Sequence, residues 1–121
     1  MTLPHPDPEQ ITLAGVLSAL GDPTRLSIVG RLARRHDICM TCSQFLEIAP
    51  KTSLSYHLAK LREAGVIRVE PRGTSRFVSL RSHDLEVRFP GVLDSILATA
   101  VKLAPEGGAA PEAVEPEPAD G

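Results

Sequence analysis

Tryptophan is absent from the chain, and one tyrosine and three phenylalanines are its only aromatics, so a core built around large rings is excluded. Leu, Ile, Val and Ala must fill that core, as they do in small helical domains. Cysteine is equally sparse, with only Cys39 and Cys42. A pair so close in sequence closes no useful loop, which excludes a disulfide-stapled scaffold and leaves thiol chemistry to be considered. No segment approaches the roughly 20 consecutive apolar residues of a membrane-spanning helix, and residues 1–15 lack the basic-then-apolar layout of a secretory signal. A soluble, cytoplasmic protein without membrane contact is expected. Also missing are a Gly-rich phosphate loop, a His-Glu metal motif and a nucleophile elbow, so neither an enzyme nor a cofactor is expected. The best enzymatic reading, a small thiol oxidoreductase around Cys39-Met40-Thr41-Cys42, needs a βαβ setting that the chain does not offer.

What is present suits one globular domain: 121 residues, 42% of them hydrophobic and 23% charged. The net charge of −2 conceals a division. Residues 105–121 hold five acids and no base, whereas residues 1–104 hold 13 basic and 10 acidic side chains and are net +3. Within residues 51–88 there are eight Lys and Arg against four Asp and Glu, a local excess that suits contact with a polyanion.

Three prolines in residues 1–8 predict a flexible arm, and residues 105–121, rich in Pro, Ala, Gly and Glu, predict a disordered acidic tail. Between them, residues 9–104 carry helical periodicity. Ile11, Ala14, Leu17 and Leu20 mark a first helix, with Leu13 and Val16 beside them, ended by Gly21. Asp22-Pro23 opens a second over residues 23–35, buried through Leu26, Val29, Leu32 and Ala33. A short third is expected around residues 42–48, ended by Pro50. A fourth spans about residues 52–64 with Leu54, Leu58 and Leu61 inward and Gly65 as its left-handed cap. Its outer face presents Thr52, Ser53, Tyr56 and Lys60, the mixture of small polar, aromatic and basic groups that a major-groove reader needs.

Residues 66–70 and 75–81 are rich in β-branched side chains and predict two strands joined by Pro71-Arg72-Gly73-Thr74. Arg72 at the tip and Arg76 at the base of such a hairpin can reach phosphates or the minor groove. The last helix, residues 90–103, is apolar over more than one face, which predicts a subunit interface with the first helix. The fold expected is mainly α with a small β-hairpin: four helices, two strands and a closing helix, a winged helix-turn-helix paired as a homodimer.

The stretches Ala19-Leu20-Gly21-Asp22-Pro23-Thr24-Arg25-Leu26 and residues 53–67, Ser-Leu-Ser-Tyr-His-Leu-Ala-Lys-Leu-Arg-Glu-Ala-Gly-Val-Ile, resemble the ArsR family of winged-helix repressors. A Gly-containing hairpin ending in Phe77-Val78-Ser79-Leu80 extends the resemblance over most of residues 11–103. It implies a homodimer joined by its first and last helices, a recognition helix at about residues 52–64, and release from a double-stranded DNA operator when an inducer is sensed. The expected DNA-contacting residues are Lys51, Thr52, Ser53, Ser55, Tyr56, His57 and Lys60 of that helix, with Arg72, Thr74 and Arg76 of the hairpin.

The family's metal sensors carry Cys-Val-Cys on the third helix. Aligned from His57, Cys39 matches the first cysteine, Thr41 occupies the second position and Cys42 lies one step beyond. The zinc-type site of the last helix needs Asp and His, and residues 90–104 hold Asp94 but no histidine, so no metal site is expected there. Cys42-Ser43-Gln44-Phe45 and Arg88-Phe89-Pro90-Gly91 are similar instead to a branch of the family linked to thiol redox or electrophile responses.

Cysteines three apart in a helical turn have Cα atoms roughly 5 Å apart, within the range of a disulfide. Near a helix N-terminus, with Arg34, Arg35 and His36 close in sequence, Cys42 is placed to carry thiolate character. Redox or electrophile sensing through Cys42 and Cys39 is therefore expected, with arsenite or soft-metal ligation by the same pair, helped by His36 and Asp37, as the alternative. Inert packing of both thiols is the third reading. His5 and His83 are expected to be solvated.

Overall fold

The computed structural model describes residues 3–34, 40–41 and 45–103; the acidic segment 105–121 lies outside them. Thr12 caps helix α1 (Leu13–Leu20), its hydroxyl accepting the Gly15 N–H at 3.0 Å. The helix starts later than the apolar repeat predicts, because Ile11 stays in extended backbone and is buried beside Gly65. Its buried face is also rotated. Val16, Ala19 and Leu20 turn inward, whereas Leu13 and Leu17 are 41% and 48% exposed. Helix α2 (Pro23–Arg34) begins where Asp22 accepts the Arg25 N–H at 3.1 Å. It buries Ile28, Val29, Gly30 and Leu32, and Leu26 and Ala33, expected inward, are only half-buried. The shift follows from a second neighbour: α2 also packs on the last helix, with Gly30 against the Ala100 backbone.

A two-residue strand β1 (Met40–Thr41) follows, which the sequence reading had not anticipated. Around the expected third helix, residues 42–44 lie outside the described residues and Phe45 to Ile48 form a single turn, with Ile48 N–H donating to Phe45 O at 2.9 Å. Phe45 is fully buried in the core cluster, just before helix α3 (Lys51–Glu63). Leu54, Leu58 and Leu61 face inward along α3, as their spacing predicts. The chain then leaves α3 through Gly65 at φ +85°, with Val66 N–H donating back to Leu61 O at 3.0 Å, a left-handed exit that aims it into the sheet.

Strands β2 (Ile67–Arg72) and β3 (Ser75–Leu80) pair antiparallel with Val69 opposite Val78 and Arg72 opposite Ser75. The turn is therefore Gly73-Thr74 alone, shorter than the four residues expected, with Gly73 at φ +61°. Pro71 fits inside β2 because the sheet order is β1-β3-β2 and an edge strand has one side that needs no donor. Helix α4 (Ser82–Arg88), also unanticipated, leads to α5 (Val92–Leu103). Leu93 and Ala100 of α5 are buried against the chain's own core, with Ile96 and Leu97 half-buried, and Asp94, Ser95, Ala98 and Thr99 are exposed. Over residues 92–100 the last helix is thus less greasy outside than its composition suggests. The whole is mainly α with a small antiparallel hairpin, the winged helix-turn-helix arrangement.

Residues 3–8, expected as a loose arm, are tied down. Arg62 of α3 donates to Pro4 O at 2.6 Å, His5 Nε2 accepts the Val69 N–H at 3.0 Å, and buried Arg81 donates to Pro6 O at 2.9 Å. Prolines lack donors but keep carbonyls, and two arginines, Arg62 and Arg81, use those of Pro4 and Pro6. His5, expected in solvent, closes an outward-facing amide of the edge strand; His83 is exposed as expected. Burial and, after it, the Arg68 guanidinium push His5 below the ordinary histidine value of 6.5. The unfolded chain then takes up this proton more readily than the folded one. The stabilisation from His5 is complete above about pH 6.5 and is lost as pH falls from there through the lowered folded value. In thermal melts across that window, the midpoint of the wild type is expected to fall more steeply than that of His5→Gln. Parallel curves would show that His5 does not carry the effect.

Candidate nucleic-acid interface

Helix α3 presents two short rows to solvent, Lys51 with Ser55 and Thr52 with Tyr56 and Lys60, all exposed and one turn apart. The rows exist because the same 3.6-residue repeat has committed Leu54, Leu58 and Leu61 to the core. Tyr56 is 57% exposed, and the Lys60 ammonium lies 5.4 Å from its ring centroid. That contact holds both side chains up from the helix surface, an amphipathic ring beside a cation. Ser53 differs from expectation. It is half-buried, and its hydroxyl donates to Pro50 O at 3.2 Å, closing the first turn of α3.

His57 is set back from these rows, with its side chain 15% exposed. Its Nδ1 lies 3.2 Å from the Arg25 guanidinium, and its ring meets Tyr56 edge-on at 5.5 Å. Arg25 also donates through Nε to Ala19 O, so one side chain links the α1–α2 junction to the middle of α3. Neither this link nor the anchoring of the arm follows from the local sequence. The Asp22 cap was legible; the contact across 32 positions was not, since nothing local in the sequence requires it.

In the hairpin, side chains alternate between faces, so Arg76 shares the face of Val78, which packs on the helices, and Arg72 takes the opposite face with Glu70 and Phe77. Arg76 extends that helix-side face beyond the core edge and is exposed. Arg72 is engaged: its guanidinium lies 4.7 Å over the Phe77 ring and donates to Glu70 at 3.0 Å. Thr74 is exposed in the turn. Among the described residues, Lys51 and Arg76 have no ionic partner. The structure therefore brings together Lys51, Thr52, Ser55, Tyr56 and Lys60 on one helix, recesses His57 and Ser53, and splits Arg72 from Arg76.

Cys39 and Cys42, together with Arg35, His36 and Asp37, lie outside the described residues. Met40 and Thr41 between them are strand, paired with Val78 and Phe77, so the helical turn expected around the cysteines does not include them. No group of three or more His, Cys, Asp or Glu able to hold a metal occurs among the described residues, and no helix there is long and apolar enough to cross a membrane.

The helix-turn-helix domain family matches residues 20–70, which run from the α1–α2 junction into β2. An HTH-type transcriptional regulator of Methanocaldococcus jannaschii, MJ1325, is 37% identical over 65 residues, covering 53% of this chain and 72% of its own length. The HTH-type transcriptional regulator YceK of Bacillus subtilis is 33% identical over 98 residues, 79% of this chain and 95% of its own. In three dimensions, the crystal structure of an ArsR family transcriptional regulator superimposes with a TM-score of 0.55 at 27% identity, over 83% of this chain and 95% of that one. A winged helix-turn-helix that covers 95% of a 33% identical transcriptional regulator, and whose fold is similar to that of an ArsR family member, leaves one assignment: the chain belongs to the HTH-type transcriptional regulators.

Proposed function

We propose that this regulator is a repressor that binds operator DNA as a homodimer and releases it when Cys42, with Cys39, is oxidised or alkylated. The observation that carries the DNA reading is the exposed face of α3, with Arg76 on the helix-side face of the hairpin. In this reading, Lys51, Lys60 and Arg76 bind phosphates and fix the register, and Thr52, Ser55 and Tyr56 meet base edges. Arg72 and Thr74 reach the flanking backbone once Arg72 leaves Glu70. Pairing through α1 and α5 is favoured by Leu13 and Leu17, one turn apart and exposed on α1, since apolar side chains repeated along one face seek cover.

The sensing part rests on β1. Its two residues join the Cys-x-x-Cys segment to β3, the central strand of the sheet that carries Arg76, so a bond formed at either cysteine pulls on the wing. Two readers must enter successive major grooves about 34–36 Å apart, and a shift of the wing disturbs that fit. An allosteric coupling of about 1–3 kcal/mol lowers affinity roughly 5–150-fold.

The test is a salt series of binding to duplexes tiled over the DNA upstream of the protein's own gene, with and without diamide. Lys60→Ala and Arg76→Ala are expected to weaken binding while remaining folded, and to reduce the salt slope by about one unit per lost phosphate contact. Cys42→Ser is expected to bind normally but to stop responding to diamide, while Cys39→Ser keeps part of the response through a sulfenic acid or a mixed disulfide. Unchanged slopes in both cation variants would overturn the interface. Release of DNA by a Cys39→Ser/Cys42→Ser protein under diamide, or a wild type that responds to stoichiometric arsenite alone, would overturn the redox reading.

A further inference from the structure

We infer that Arg25 and Asp22 are positioning residues that fix the ring proton of His57 on Nε2 and present that N–H to a DNA phosphate oxygen. The inference rests on the DNA-binding reading above and deepens it by assigning a donor atom and the groups that hold it.

The Nη1 of Arg25 lies 3.2 Å from His57 Nδ1. A guanidinium has donors and no acceptor, so Nδ1 must be the acceptor and the ring proton must sit on Nε2. Arg25 is itself held from two sides. Its backbone N–H donates to Asp22 Oδ2 at 3.1 Å, and its Nε donates to the Ala19 carbonyl. Asp22 Oδ2 is 3.8 Å from Nδ1, too far for a hydrogen bond, so Asp22 acts through Arg25 and not on the ring. The edge-on contact with Tyr56 limits rotation of the ring from the other side.

Among the described residues Nε2 has no partner, yet the side chain is only 15% exposed. A recessed donor without an acceptor is unfavourable, and such groups in native proteins usually have a role. The position selects a phosphate over a base. Thr52, Tyr56 and Lys60 stand on the outermost face of α3, whereas His57 is drawn back toward the start of α2. In helix-turn-helix proteins the recognition helix enters the groove while the preceding helix crosses the DNA backbone, so the ring lies at the groove wall.

The test measures binding of the full-length protein to a short duplex of mixed sequence, because a phosphate contact does not depend on base sequence. His57→Phe keeps the ring and removes the donor, and is expected to bind about 10-fold more weakly. His57→Gln, whose amide nitrogen overlays Nε2, is expected to stay close to wild type. Arg25→Met is expected to match His57→Phe, and the double variant to be no weaker than either single one, because both remove the same contact. The salt slope of His57→Phe is expected to stay at the wild-type value, since a donor without charge releases no counterion, in contrast to Lys60→Ala. Long-range proton–nitrogen NMR of the wild-type ring is expected to show the proton on Nε2, a reading that needs no variant to fold. A proton on Nδ1, or equal binding by His57→Phe and His57→Gln, would overturn the inference. A wild type that binds no duplex overturns the DNA-binding reading itself, whereas a wild type that binds while these variants change nothing overturns only this one.

Discussion

Gly65→Ala is expected to lower the thermal midpoint by about 10–30 °C, enough to leave much of the protein unfolded at physiological temperature. Two separate penalties meet at this residue. The backbone is at φ +85°, where an L side chain costs about 1–2 kcal/mol. A Cβ built there would also lie 2.5 Å from Cγ1 and 2.6 Å from Cδ1 of Ile11, itself only 1% exposed and unable to move aside without disturbing the core, an overpacking that costs about 1–3 kcal/mol. Gly65 also joins α3, the proposed recognition helix, to the hairpin, so on that proposal the damage reaches DNA binding as well. Ile11→Ala in the same chain is expected to relieve the steric part and leave the backbone part, so the cycle of both substitutions should show coupling of the size of the clash. A Gly65→Ala protein that melts within a few degrees of wild type would show that the junction relaxes more easily than the packing indicates.

Asp84→Ala is expected to destabilise the fold by about 2–4 kcal/mol, the range for removing one partner from a mostly buried ion pair. Arg81 has a side chain only 3% exposed, and Nε and Nη2 both lie 3.0 Å from Asp84 Oδ2. Without that carboxylate, the guanidinium keeps only the Pro6 carbonyl and is left as an uncompensated buried charge. Asp84 is a quarter exposed, which places the effect toward the lower end of the range. Replacing both residues, Arg81→Met with Asp84→Ala, is expected to be milder than Asp84→Ala alone, since no charge then remains buried. Denaturant unfolding at constant m-value reads both effects. An Asp84→Ala loss below about 0.5 kcal/mol, the scale of an ordinary surface change, would show that the pair is solvated in practice. Because Arg81 also holds Pro6, faster proteolysis of the N-terminal arm in Asp84→Ala is the expected companion result.

These two positions differ in how visible they are before folding. Gly65 follows an apolar repeat at the place where a helix must end, and its left-handed cap is legible from that pattern alone. Nothing near Arg81 or Asp84 announces a buried pair, because the third partner is Pro6, 75 positions away. The face of α3 belongs with Gly65: once Leu54, Leu58 and Leu61 turn inward, geometry sends Thr52, Tyr56 and Lys60 outward. The hairpin was legible as two β-branched runs around a glycine turn, but its exact turn was not, since β2 tolerates Pro71 only by being an edge strand.

By itself the sequence determined the local elements and their exposed faces: the capped start of α2, the inward stripe and left-handed exit of α3, the turn glycine of the wing, and the family resemblance that these carry together. Period and cap are short-range properties, written within a few residues of one another. Tertiary structure alone decided which apolar face of α1 is covered, that His5 and the prolines around it strap α3 to β2, that Arg25 reaches His57, and that Met40 and Thr41 add a strand to the wing. Each of these joins groups distant in the chain, and in the strap and the added strand the partners are backbone carbonyls and amides. Every residue offers such groups alike, so only the folded packing selects which of them meet.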